Sequence, residues 1–300
     1  MSKEGVDIPL MLLKKDEGTT YATRDLATIS FRVRKWNPDI IIYEVGAEQS
    51  FYFKQVFAAA RLLGLVDEKV KLVHTAHGLY LAPDGKKFAT REGKTIKLEE
   101  VLNEAIKRAE KLGNSDEKTA QQVGIGAIKY FDLMHSVQSN VVFDWEKMMN
   151  LEGNSGPYLQ YTTARANSVL RKAEFPISNF QFSINLQINN EEMAVLRKLC
   201  QFQEVIAFAA INYSPNTLCN YLYDLASKFN TFYNKHRILP ADATRQVKSL
   251  PDSASRRQAG ADTWRVSGFK YNFRLALTAA VGSVLKTGLN LLGIQAPEKM

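Results

Sequence analysis

The sequence predicts an α/β domain followed by an all-α domain. In the first third of the chain, two short β-branched runs at 39–45 and 70–74 flank an amphipathic stretch at 51–64. This order of strand, helix and strand is typical of a parallel sheet with crossover helices. From about residue 117 onward, apolar residues recur mostly at helical spacing, which is typical of a helical bundle.

The first predicted strand ends at Gly46, where a residue without a Cβ lets the chain turn sharply and lets a ligand approach the backbone. Because ligands on parallel sheets gather outside the carboxyl ends of the strands, we expect residues 46–49 to line a site. A further helix is predicted from Leu98 to Leu112, and Gly113 is its expected stop.

Three long amphipathic helices are predicted at 191–211, 216–236 and 270–292. The polar, basic stretch at 240–260 is expected to be an exposed loop or a partly disordered insert. Together with the boundary near residue 116, these segments predict three parts. The parts are residues 1–116, a connecting helical segment at 117–184, and a helical domain at 185–300.

The chain is basic, with a formal net charge of +8 and a pI of about 9.3. Part of the excess is local, because eight Lys or Arg stand against three acids from His236 to Arg274. Basic proteins often bind polyanions, since neutralising phosphates releases counterions. The sequence has no apolar run of the roughly 18 to 20 residues that cross a bilayer and no signal-peptide pattern, so we expect a cytoplasmic location and no membrane partner.

The two cysteines, Cys200 and Cys219, lie in apolar segments with helical spacing. We expect both to be buried free thiols. The sequence contains no Cys/His cluster with the spacing of zinc ligands, so no protein-bound metal is expected.

Two segments of the α/β part carry residue types that bind ligands. Residues 21–27 (YATRDLA) place an aromatic residue, a cation and an anion at a helix start, with Thr23 as a candidate cap. Residues 43–50 (YEVGAEQS) place Glu48 and Gln49 at the end of a strand. Taken singly, these patterns also fit a surface ion pair and an ordinary strand-to-helix loop.

Two further segments favour phosphate or RNA. Residues 84–94 (DGKKFATREGK) begin with a tight turn, which is followed by four cations, a hydroxyl and a second glycine. Such a loop can hold phosphates. Residues 153–165 (GNSGPYLQYTTAR) lead from a turn into a helix with aromatic, amide and cationic side chains, which suit contacts to RNA. A solvated basic hairpin and a helix packed against a neighbouring domain are the structural alternatives.

In this order and spacing, the segments resemble the arginyl-tRNA synthetases. The series is YATRDLA, VGAEQ, DGKKFATREGKTIKLEEVL, GAIKYFDL, FDWEKMM and GNSGPYLQYTTAR, and it continues through 215–233 (PNTLCNYLYDLASKFNTFY) to 288–300. The resemblance covers nearly the whole chain except about 240–270. It implies the C-terminal half of a class I synthetase, with the second half of a Rossmann-like nucleotide-binding domain followed by an α-helical anticodon-binding bundle.

The resemblance implies an arginine–tRNA ligase, which forms an arginyl-adenylate from ATP and passes arginine to its tRNA. The implied partners are ATP with Mg²⁺, arginine and the tRNA specific for arginine. Tyr21, Asp25 and Gln49 would form the arginine pocket. A carboxylate suits this ligand, because it can pair with the planar guanidinium through two hydrogen bonds.

The implied ATP site includes residues 87–91 (KFATR), which stand where class I enzymes usually carry Lys-Met-Ser-Lys-Ser. Lys87 and Arg91 would be catalytic, because their charge would stabilise the phosphates as pyrophosphate leaves. The full implied set of ATP-binding residues is His77, Gly78, Lys87, Phe88, Thr90 and Arg91.

The implied tRNA site lies in the helical part. Its residues are Tyr158, Gln160, Tyr161, Arg165, Tyr233 and Met300. Stacking of an exposed base on a tyrosine contributes about 1 to 3 kcal/mol. A half-buried bundle aromatic is the alternative interpretation of Tyr233.

Two features depart from the family pattern. The chain has four histidines, and none of them forms the His-x-Gly-His signature that contacts ATP in class I synthetases. We therefore expect the first half of the nucleotide fold to lie elsewhere, in a fuller chain or a separate N-terminal half, and we expect this chain alone to form no arginyl-adenylate. The basic stretch at 240–270 is longer than the usual link, and we expect it to contact phosphates.

Other functions remain open on the sequence alone. One alternative is a tRNA-binding module without catalysis, which the missing ATP signature favours. Another is a different class I synthetase, such as the cysteinyl or methionyl type, which would be expected to carry zinc ligands or a Lys-Met-Ser-Lys-Ser loop. A helical interaction protein would leave the β-rich first hundred residues unexplained.

Overall fold

The computed structural model describes residues 9–87, 97–113, 116–173, 187–239 and 261–300, and side chains in all of these except 113 and 261–269. The chain divides into two compact units. The first unit comprises Met1–Phe88 with Val137–Phe143, and the second comprises Ala89–Ser136 with Asp144–Met300. The first carries the strands and the second is helical in its described part, so the predicted change from α/β to all-α is confirmed.

The first unit is built on a parallel pair of strands with a crossover helix. Strand β1 (Ile40–Gly46) pairs with β2 (Lys71–His77) in parallel, from Ile40 opposite Lys71 to Gly46 opposite His77. Helix α2 (Ser50–Leu62) connects them, after a short 3-10 turn at Ala47–Gln49. The predicted strand, helix and strand are thus confirmed.

Helix α1 (Tyr21–Trp36) begins with a capping box. The Thr20 hydroxyl accepts a hydrogen bond from the Thr23 N–H, and the Thr23 hydroxyl accepts one from the Thr20 N–H. Thr20 is therefore the cap residue, and the prediction that Thr23 caps the helix was wrong by one turn. The reciprocal pair satisfies two backbone donors that would otherwise lack partners at the helix start.

One face of the strand pair carries the core of the first unit. Ile41 and Tyr43 of β1 pack with Leu26 and Ile29 of α1 and with the aromatic and aliphatic side chains of α2. The alternation of a strand places Ile40 and Ile42 on the opposite face, where they are 47% and 48% exposed.

A second, shorter strand pair belongs to the same unit. Strand β3 (Tyr80–Leu81) pairs in parallel with β4 (Val141–Val142). Gly78 permits this approach, because a Cβ at that position would lie 2.1 Å from the Ser139 carbonyl oxygen. Strands of two residues have no detectable period in the sequence, so they were not predicted.

The second unit is helical. In its described part the helices are α3 (Leu98–Gly113), α4 (Glu117–Leu133), α5 (Trp145–Met148), α6 (Gly156–Ala173), α7 (Asn190–Cys200), α8 (Phe202–Ile211), α9 (Pro215–Lys235) and α10 (Ala261–Leu291). Helix α3 packs against α4 in this unit, whereas the sequence grouped it with the α/β part. Residues 240–260, predicted to be a loop, lie outside the described residues, and 261–269 begin α10.

The segment at 191–211 is two helices rather than the single one predicted. Helix α7 ends and α8 begins at Gln201. Both helices pack against α9, and Phe202, Val205 and Ile206 of α8 reach the core of the bundle. The apolar pattern runs on through the break because both helices turn an apolar side towards the same neighbour.

Helix α9 forms the centre of this core. Its wholly buried side chains include Leu222, Leu225 and Phe229, which pack with α10 side chains such as Leu285 and Leu289. Cys219 is also buried, and burial raises the pKa of its thiol to about 12. The prediction that both cysteines are buried was wrong for Cys200, which is exposed at the end of α7.

A buried ion pair ties α7 to α10. The Glu192 carboxylate is fully buried, and the Arg274 Nε lies 2.6 Å from its Oε1. The other carboxylate oxygen accepts a hydrogen bond from the Asn189 N–H and so caps α7. Arg274 also donates to the Arg237 carbonyl at 2.6 Å. These bonds satisfy both charged groups, which burial would otherwise make costly.

The contact between α3 and α4 depends on Gly124. A Cβ there would lie 2.7 Å from the backbone carbon and oxygen of Ala105, and a helix backbone cannot move aside as a flexible side chain can. We therefore expect Gly124→Ala to lower the free energy of unfolding by about 1 to 3 kcal/mol, as overpacking does.

Gly282→Ala in α10 is the matched control. A Cβ at Gly282 would meet Ala166 Cβ at 3.4 Å, which is ordinary contact. This change should leave stability unaltered or raise it by up to about 1 kcal/mol through helix propensity. Urea unfolding followed by far-UV circular dichroism measures both variants, and equal shifts of the two midpoints would contradict the predicted contact.

Candidate functional site

The start of α1 carries a carboxylate held by a tyrosine from α2. The Tyr52 hydroxyl donates a hydrogen bond to Asp25 Oδ2. Burial raises the pKa of Tyr52, and the bond to Asp25 raises it further, so the phenol stays protonated as a donor. Tyr21, one helical turn before Asp25, is 81% exposed, and the Arg24 guanidinium carbon lies 6.0 Å from the centroid of its ring.

The carboxyl ends of β1 and β2 meet at one edge of the strand pair. Gly46 is opposite His77 in the parallel register, and Gln49 is exposed in the turn that follows β1. Tyr52 comes three residues after Gln49, so its bond to Asp25 brings the start of α1 to this edge. The hydrogen bond from Tyr52, which the sequence did not single out, therefore places Asp25 beside the helix that follows Gln49.

The predicted ATP residues are only partly described. His77 ends β2, and its Nδ1 lies 2.8 Å from the Gly78 carbonyl oxygen. Lys87 is exposed and pairs through its backbone with Leu81, across the turn at Gly85. The remaining predicted residues of this loop, Phe88, Thr90 and Arg91, lie outside the described residues.

In the second unit, a cation is stacked between two aromatic rings. The Arg165 guanidinium carbon of α6 lies 4.8 Å from the ring centroid of Tyr161 and 5.0 Å from that of Tyr233. The Asn230 side chain of α9 accepts a hydrogen bond from Arg165 Nη1 at 2.6 Å. Its amide nitrogen donates to the Tyr158 hydroxyl at 3.0 Å. We call these five residues the Arg165 cluster.

Helical spacing explains why the Arg165 cluster forms. Tyr158, Tyr161 and Arg165 follow one face of α6, and Asn230 and Tyr233 are three residues apart on α9. Tyr161 remains 38% exposed and Arg165 is half-buried beside it, so an aromatic surface faces solvent next to a partly accessible cation. A positive charge beside an aromatic ring suits a phosphate and an adjacent unstacked base.

Two other predicted tRNA residues have different positions. Gln160 is wholly buried, and its Nε2 donates to the Gln122 carbonyl at 3.0 Å and to the Gln295 carbonyl at 2.7 Å. Its assignment as a tRNA contact is corrected, because the neighbouring backbone occupies its donor and solvent does not reach it. Met300 is 37% exposed at the end of the chain.

The described residues also bear on metals and membranes. Among them, no group of three or more His, Cys, Asp or Glu side chains could hold a metal ion. Within the described ranges, no helix combines the length and the apolar character that crossing a bilayer requires.

Two family models match the chain. Residues 1–145 match "tRNA synthetases class I (R), catalytic domain", and residues 159–250 and 265–300 match "DALR anticodon binding domain". The two matched parts define the class of protein as a class I aminoacyl-tRNA synthetase with a helical anticodon-binding domain.

Two curated relatives and a solved structure identify the family within this class. Arginine–tRNA ligases of Nostoc sp. and Saccharophagus degradans are 37% and 38% identical over 100% and 99% of this chain, and over 50% and 49% of their own lengths. The Thermus thermophilus arginyl-tRNA synthetase structure aligns with a TM-score of 0.74 at 27% identity, over 99% of this chain and 53% of that one. The chain belongs to the arginyl-tRNA synthetase family, and it spans about half the length of the curated relatives it matches.

Proposed function

We propose that this chain supplies the arginine-binding edge and the anticodon-binding bundle of an arginine–tRNA ligase. That enzyme would form an arginyl-adenylate from ATP, with Mg²⁺, and pass arginine to its tRNA. The observation that carries the proposal is the Arg165 cluster, which presents a cation and an aromatic ring within the part of the chain that matches the anticodon-binding domain. The cytoplasmic location stays a prediction.

The chemistry of the first unit supports arginine as the amino acid. A carboxylate has lone pairs on both oxygens, so the bond from Tyr52 leaves Asp25 able to accept two parallel bonds from a guanidinium. Tyr21 and Gln49 would add an aromatic surface and an amide to the pocket. Lys87 and Arg91 would stabilise the charge on the phosphates, and positioning rather than a nucleophile would drive the reaction.

The exposed face of the β1–β2 pair supports the proposal that further polypeptide packs against this sheet. Parallel sheets are normally covered on both faces, yet Ile40 and Ile42 lie about half exposed on the face of β1 opposite the core. The parallel register places Val73 of β2 beside Ile42 on that face. We propose that an N-terminal half of the nucleotide fold, attached or separate, covers this face and supplies the missing ATP signature.

The alternative is a tRNA-binding module without catalysis. The absence of a His-x-Gly-His sequence from the 300 residues favours it for this chain on its own. The alternative predicts tRNA binding but no recovery of chemistry when an N-terminal half is added.

The Arg165 cluster can be tested by a change that keeps the charge. Arg165→Lys should weaken binding of the arginine tRNA about tenfold, because an ammonium cannot stack flat between Tyr161 and Tyr233. Fluorescence anisotropy of labelled tRNA at fixed salt measures the affinity. Arg197→Lys, at an exposed position of α7, is the control and should bind as the unaltered chain does. Equal affinities of all three proteins would remove the cluster from the RNA site.

Adenylate chemistry tests the need for an N-terminal half. The chain alone should show no ATP–pyrophosphate exchange with arginine, and addition of the N-terminal half of the Saccharophagus degradans relative should restore it. Exchange by the chain alone at the rate of a complete enzyme would contradict the proposal.

A substitution on the exposed sheet face can be tested in the same ATP–pyrophosphate exchange assay. Ile42→Asp should prevent the restoration, because a charge would then have to be buried against the added half. Ile211→Asp, on the exposed side of α8, is the matched control and should leave the restoration intact.

A further inference from the structure

A surface cavity lies in the second unit between α4 and the segment that follows α10. Its volume is about 310 Å³, near the lower end of the range for small-molecule sites, which is about 300 to 1,000 Å³. The lining residues are Lys118, Gln121, Gln122, Ile125, Gly126, Lys129, Gly293, Ile294 and Gln295.

The end of α10 forms one wall of the cavity. Gly293 has a φ of +69°, a left-handed conformation that suits glycine and turns the chain out of the helix. The Ile294 N–H donates back to the Leu289 carbonyl at 2.9 Å, and the Ile294 side chain is buried. This turn brings Gln295 against α4, where Gln122 Nε2 donates to its Oε1 at 3.0 Å.

Buried Gln160 holds the two walls in place. Its Nε2 binds the Gln122 carbonyl on α4 and the Gln295 carbonyl on the other wall. A Cβ at Gly126 would lie 2.6 Å from that nitrogen, so glycine at this position leaves room for both Gln160 hydrogen bonds. Lys129 adds a third link, because its Nζ donates to the Gly293 carbonyl at 2.7 Å. The cavity is therefore preformed, which lowers the entropic cost of binding a ligand.

The lining combines three kinds of group. Lys118 and Lys129 supply two positive charges, and no carboxylate lines the cavity in the part of the chain that the structure describes. Lys129 donates one of its three N–H groups to the Gly293 carbonyl, and the other two can bind a ligand. Three glutamine amides can both donate and accept, and Ile125 and Ile294 add apolar surface. A phosphate matches the two lysines, the edge of a base matches the glutamine amides, and the face of a base matches the apolar surface.

We propose that this cavity holds one unstacked nucleotide of the tRNA, with its phosphate at Lys118 and Lys129 and its base against the glutamines. The proposal rests on the proposed function, since RNA has to be a ligand of the chain. The site is distinct from the Arg165 cluster, because its side chains come from α4 and the segment after α10 rather than from α6 and α9.

Two exposed residues of the lining allow changes that leave the core intact. Lys118→Ala should weaken binding of the arginine tRNA about five- to tenfold and reduce the slope of log affinity against log salt by about 1. Gln121→Ala changes no charge and should weaken binding about threefold with the salt slope unaltered. The matched controls are Lys107→Ala on α3 and Gln203→Ala on α8, both exposed and outside the cavity.

Lysine acetylation followed by mass spectrometry gives a direct second measurement on the unaltered chain. Saturating tRNA should protect Lys118 and Lys129 from acetylation and leave Lys107 reactive. Protection of both cavity lysines to the same extent by millimolar adenosine monophosphate alone would assign the cavity to a free nucleotide and overturn its assignment to RNA.

The outcomes separate this proposal from the proposed function. If the unaltered chain binds tRNA but the cavity variants match their controls and Lys118 and Lys129 stay reactive, the cavity assignment fails and the function stands. If the unaltered chain binds no tRNA at all, both fail.

Discussion

The burial of α9 is the constraint on which the helical unit depends. Leu222, Leu225 and Phe229 are wholly enclosed, and the loss of any one of them would leave a cavity worth several kcal/mol in a structure whose net stability is of order 10 kcal/mol. Because this packing fixes the rotation of α9, it also fixes where Asn230 points. Asn230 then holds Arg165 by a hydrogen bond, so the position of this half-buried cation is set by apolar residues in the core of the bundle.

Both candidate RNA sites in this unit share one physical property: they are assembled before a ligand arrives. Arg165 is already stacked and hydrogen-bonded, and the cavity walls are already joined through Gln160. Flexible lysines elsewhere on a basic surface would add affinity that falls with salt, whereas groups fixed in direction can discriminate between RNA sequences. On the proposed function, the net charge of +8 would account for attraction to RNA, and the fixed groups would account for selectivity.

The sequence predicted those parts of the structure that follow from a repeating pattern. Strands β1 and β2 were found because β-branched runs end at turn residues, and α9 was found because its apolar side chains keep helical spacing. The break at Gln201 has no such signal, since the apolar pattern continues through it. The chemistry of a side chain also does not state which way it faces. Gln160 was therefore assigned to RNA although it is buried, while Tyr52 and Asn230, whose roles come from partners distant in the sequence, were missed.

On the proposed function, recognition of the anticodon of an arginine tRNA depends on fixed groups of the helical unit. The most direct test of this dependence is a titration of the purified chain at fixed salt with two labelled tRNAs, the arginine tRNA and the same molecule with an altered anticodon. We expect clear preference for the intact anticodon, and the difference in affinity should persist as salt is raised, because it does not come from phosphate charge. Equal affinity for the two tRNAs at every salt concentration would mean that charge alone drives association, and it would contradict the claim.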